Sequence, residues 1–110
     1  MDTIELGEII ATRDLNLINP DSTTSAVIVA IGKPNRFTDS PDFFTPYRIT
    51  GVGKEEIWYA AGVDAVQSLQ LVMGMIDAEL KALVKDRGVK LMWLDDESLG
   101  FGFAPLGSQD

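Results

Sequence analysis

The sequence predicts an α+β fold: an antiparallel sheet of about five or six strands packed on one long helix, in the order β-β-β-β-α-β-β. Three observations predict it. Residues 62–88 carry apolar side chains at helical spacing. The segments on either side are short, rich in β-branched and aromatic residues, and punctuated by glycine and proline. The chain has 110 residues, 45% hydrophobic and 24% charged, which suits one ordinary globular domain spanning 1–110 with a loose tail at about 105–110.

Residues 3–18 open with alternation that places Ile4 and Leu6 on one face. Past Gly7 the phase changes, and Ile9, Ala11, Arg13, Leu15 and Leu17 become the same-side set, as a bulge or bend in a strand would produce. Asn19-Pro20-Asp21-Ser22 reads as a turn. Ala26 to Ile31 is apolar throughout and predicts a strand covered on both faces at its centre, stopped by Gly32-Lys33-Pro34.

Residues 35–46 have no period and contain Pro41 and Pro46, so they read as a loop. Its three phenylalanines, Phe37, Phe43 and Phe44, either fold back over an end of the core or line a binding surface. Tyr47–Thr50 and Glu56–Ala60 then form a hairpin around Gly51-Val52-Gly53-Lys54. Beyond the helix, Val89–Leu94 predicts a strand, Asp95–Ser98 a turn, and Leu99–Phe103 a last strand with Leu99, Phe101 and Phe103 on one face.

The helix has marked ends. Asp64 caps its start with Gln67 three residues on, while Lys85 and Arg87 precede Gly88 at its close. Ala65, Leu69, Val72, Met73, Ile76, Leu80 and Leu83 form the stripe that faces the sheet. A second row, Leu71, Met75, Ala78 and Ala82, falls nearly opposite, and Gly74, Ala78 and Ala82 make a small-residue ladder within it. That row is covered by a loop, by the same helix of another copy, or by solvent.

Several functions are excluded by residue type. With no cysteine and no histidine, the chain has no disulfide, no thiolate or imidazole metal site, and no Ser-His-Asp or Cys-His nucleophile. A net charge of −8 opposes binding to nucleic acid and to anionic membranes. No apolar stretch is long enough to span a bilayer, and Asp2 and Glu5 are the wrong flank for a signal peptide. The acidic clusters lack calcium-loop spacing, and the Gly-x-Gly pairs do not open a helix as a phosphate cradle must. No cofactor is expected. Arg13 and Arg48 fall within strand patterns; facing inward, each would either pair with a carboxylate or recognise an anion.

Ile31-Gly32-Lys33-Pro34, Tyr47-Arg48-Ile49, and Gly62-Val63-Asp64 followed by Gln67-Ser68-Leu69-Gln70-Leu71 together resemble a family of small uncharacterised bacterial proteins. The resemblance covers most of the chain and implies a stand-alone bacterial domain in the cytoplasm, with no activity and no site residue to carry over. The residues themselves point to a non-catalytic module. It would bind a protein partner or a second copy through Leu71, Gly74, Met75, Ala78 and Ala82. The alternative is a small-molecule pocket between sheet and helix lined by Trp58, Tyr59, Trp93, Phe101 and Phe103. An enzyme would have only carboxylates, tyrosine and arginine to work with.

Overall fold

The computed structural model describes residues 4–53 and 55–101. Lys54, Gly102, Phe103 and the tail at 105–110 lie outside them. Among the described residues six strands and one helix follow in order: β1 (Ile9–Ile18), β2 (Thr24–Gly32), β3 (Asn35–Arg36), β4 (Phe43–Thr50), β5 (Trp58–Gly62), α1 (Ala65–Arg87) and β6 (Lys90–Met92). All pairings are antiparallel. β1, β2, β4 and β5 form a meander, and α1 carries the chain back to the far edge, where β6 pairs with β1.

β3 continues the line of β2. Pairing with β4 runs from Ile28↔Thr50 to Ile31↔Tyr47 and resumes at Asn35↔Phe44, one residue out of register. β2 thus ends at Gly32, as expected, and Gly32-Lys33-Pro34 makes a bulge-like step before the pairing with β4 resumes in β3. The predicted loop at 35–46 shrinks accordingly, because its first two residues and its last four are strand. Proline normally argues against a strand, but Pro46 lies within β4 opposite the break between β2 and β3, where irregular pairing accommodates it.

Alternation then sorts the two faces of the sheet. Leu15, Leu17, Val27, Val29, Ile31, Tyr47, Ile49, Ala60 and Leu91 are buried towards the helix, against Val72, Ile76 and Leu80. On the other face Phe44 is buried and packs with Phe37 and Tyr59, ring centroids 4.9 and 5.9 Å away. β2 is covered on both faces at Ala30 but not at Ile28, which is exposed. At the start of the sheet, Gly7 turns the chain in a left-handed conformation (φ 64°) and the register slips between Ile9 and Ala11.

The helix begins as its cap residues dictate. Asp64 accepts from the Gln67 amide at 2.8 Å, and the Gln67 side chain reaches back to accept from the Val63 amide at 2.7 Å. Gly88 closes it with φ 62° and ψ 34°. Two further contacts fix where it sits. A Cβ at Gly62 would lie 2.6 Å from the Ser68 amide nitrogen, so the first turn rests directly on the end of β5. Ser68 Oγ and Thr45 Oγ1, both fully buried, are 2.8 Å apart. The helix is thereby drawn towards β4 and β5.

The last strand expected at 99–103 does not form over the described residues 99–101. Gly100 adopts φ 76°, because the Arg13 guanidinium and the Trp93 ring lie 2.6 and 3.0 Å from where its Cβ would be, and the chain bends around them. β6 is also shorter than Val89–Leu94: Leu94 already has φ 58°, and Trp93 and Asp96 exchange backbone hydrogen bonds across a tight turn. β5 starts two residues later than the expected strand at Glu56–Ala60.

A candidate ligand cavity beside Arg13

Because α1 is held over β4 and β5, the first half of β1 is left uncovered. The gap is a cavity of about 420 Å³. Ile10, Ala11, Val29 and Ile31 form its sheet side, Leu69 and Met73 its helix side, and Phe101 one end. Among the described residues, the polar side chains on its border are Thr12, Gln70 and Arg13, and none of the lining residues is acidic.

Arg13 is half-buried and carefully placed. Its guanidinium carbon lies 3.7 Å from the centroid of the Trp93 ring and 5.1 Å from that of Phe101. Nη1 donates to the Leu99 carbonyl at 2.9 Å. The side chain thus ties the segment after β6 to β1 and shapes the cavity's end, with cation–π contact and a hydrogen bond acting together. Among the described residues it pairs with no carboxylate; the ion pair there is Lys81–Asp77 at 2.8 Å, on the helix surface. Arg48 also lacks a carboxylate partner among the described residues, and its Nε is buried with no hydrogen bond.

A smaller hollow of about 260 Å³ lies between Ile49, Val52 and the last turns of α1, bordered by Glu79, Asp86 and Arg87. Its charges are already engaged in part. Arg87 donates to the Val52 carbonyl at 2.5 Å, and the Tyr47 hydroxyl donates to Glu79 at 2.6 Å. Burial, the bond to Glu79 and the carboxylate's charge together push the Tyr47 phenol well above the usual tyrosine range. Among the described residues no cluster of three or more acidic side chains could hold a metal ion.

The five aromatics expected to share one pocket are not brought together. Trp58 and Tyr59 are neighbours on a strand and necessarily point to opposite faces. Trp58 is 53% exposed on β5, and Tyr59 packs with Phe37 and Phe44 on the sheet's outer face. β5 and β6 lie at opposite edges, which separates both from Trp93. Phe101 lines the cavity, Trp93 stacks under Arg13, and Phe103 is outside the described residues.

The second row of the helix is open. Leu71 is 48% and Met75 37% exposed, Ala78 and Ala82 are exposed as well, and a Cβ at Gly74 would meet nothing within 4 Å.

Residues 11–104 match a family described as a domain of unknown function, DUF6968. The chain belongs to that family. The DUF6968 match spans every described element from Ala11 onward, so all the cavity's lining residues except Ile10 fall within it. Searches of curated proteins and of solved structures return no significant match.

Proposed function

We propose that this domain is a binding module for a small, largely apolar molecule held between β1 and α1. The observation that carries the reading is the cavity itself. At about 420 Å³ it falls within the range of roughly 300–1,000 Å³ occupied by ligand sites. Aliphatic walls bordered by a few polar side chains are the usual make-up of such sites. A binding role also suits a chain without histidine or cysteine, and the setting we propose for it is the bacterial cytoplasm, on the sequence resemblance.

A thermal-shift screen of small apolar molecules tests this. A ligand at a hundred times its Kd stabilises the folded state by about 2.7 kcal/mol, a rise in Tm of roughly 10 °C for a domain of this size. Ala11 is exposed at the cavity mouth, so Ala11→Trp should fill the space without disturbing the core and abolish the shift. A shift that survives Ala11→Trp counts against the cavity.

A second reading is association with another copy through Leu71, Gly74, Met75, Ala78 and Ala82. It is favoured by the room above Gly74 and the exposure of Leu71 and Met75. Met75→Glu or Ala78→Glu should then lower the mass measured by sedimentation or light scattering. An unchanged mass removes this reading.

A further inference from the structure

We propose that the occupant of the cavity is an aliphatic carboxylate, its alkyl chain between β1 and α1 and its carboxylate on the Arg13 guanidinium. The proposal rests on the cavity being a ligand site.

Among the described residues Arg13 is the one charged residue in the lining. A guanidinium offers five N–H donors, and among the described residues one of them is used, on the Leu99 carbonyl. No described carboxylate neutralises it. A half-buried arginine is normally paired, because desolvating a cation without an anion is costly. Trp93 and Leu99 fix the plane of the group before any ligand arrives, so little side-chain freedom remains to be lost on binding. Those features select an anion, and the single cation suits one negative charge better than the two of a phosphate monoester.

The rest of the ligand is set by the walls. Ile10, Val29, Ile31, Leu69 and Met73 offer aliphatic surface, and beside Arg13 the described lining has hydrogen-bonding side chains only at Thr12 and Gln70, few for a sugar or nucleobase. The described lining residues include no acidic side chain, so none of them adds to the chain's overall charge of −8 where the carboxylate would sit.

The test compares decanoate, decanol and decylamine, below their micellar concentrations, on the full chain by calorimetric titration. The expected result is one-to-one binding, decanoate at least about ten-fold tighter than decanol, the scale of a charge-assisted hydrogen bond, and decylamine weaker than both. Arg13→Gln should bring the decanoate and decanol affinities within about two-fold of each other; because loosening of the wall that Arg13 holds would weaken both ligands alike, the ratio of the two reports the loss of charge. If decanol binds as tightly as decanoate, and Ala11→Trp blocks both, the cavity is a ligand site and the carboxylate assignment is overturned. If none of the three binds, or Ala11→Trp leaves binding intact, the cavity reading is overturned with it.

Discussion

Thr45 Oγ1 and Ser68 Oγ lie 2.8 Å apart where neither residue has any exposure to solvent. One belongs to the middle of the sheet and the other to the first turns of the helix, and Ser68 also donates to the Ala65 carbonyl at 3.0 Å. The pair acts with Gly62 to set the lateral position of α1, and that position is what leaves the cavity open over β1. Ser68→Ala strands the Thr45 hydroxyl in a dry site and should cost about 1–3 kcal/mol in urea unfolding. Adding Thr45→Val should cost less than the sum of the two single changes, with a coupling of at least about 0.5 kcal/mol. Additive effects would mean that the hydroxyls do not depend on one another.

Two glycines make opposite predictions. Gly62→Ala places a methyl group against the backbone of the helix, 2.6 Å from the Ser68 nitrogen, and should destabilise by roughly 1–3 kcal/mol as the helix is pushed away. Gly74→Ala meets nothing within 4 Å and improves helix propensity, so it should stabilise the monomer by about 1 kcal/mol. Denaturant midpoints at unchanged m report both. A destabilising Gly74→Ala would be the signature of a partner packed on that row.

Tyr47 gives the fold an alkaline limit. Its folded phenol ionises well above the ordinary value, so between about pH 10 and the folded pKa the unfolded chain releases a proton that the native state retains. Stability should therefore be constant below that window and fall as pH rises through it. Tyr47→Phe should cost about 1 kcal/mol near neutrality, through the lost bond to Glu79, and should flatten this alkaline slope. A slope unchanged by the substitution would assign it to other groups.

The helix and its neighbours are legible in the sequence because their signals are local. Asp64, Gln67 and Gly88 mark the helix ends by their own hydrogen-bonding and conformational preferences, and the β-branched run at Ala26–Ile31 could hardly be anything but strand. Pro46 and Gly100 were misleading for the same reason in reverse. Each is a punctuating residue whose meaning depends on what lies beside it: a bulge in β2–β3 for one, the Arg13–Trp93 stack for the other. The cavity had no local signal. Ala11, Leu69 and Met73 read as ordinary sheet and helix residues, and only the sideways seating of α1 separates them. Of the lining residues, Arg13 was visible in advance as a cation inside a strand pattern whose partner was open, and Phe101 as one of the aromatics expected between sheet and helix.

The most direct measurement is a methyl NMR spectrum of the protein labelled at Ile, Val, Leu, Ala and Met, recorded with and without saturating decanoate. A ligand between β1 and α1 should give its largest shifts at Ile10, Ala11, Val29, Ile31, Leu69 and Met73, and leave Leu71, Met75, Ala78 and Ala82 in place. Shifts confined to that second row of the helix, with the cavity methyls unmoved, would contradict the account.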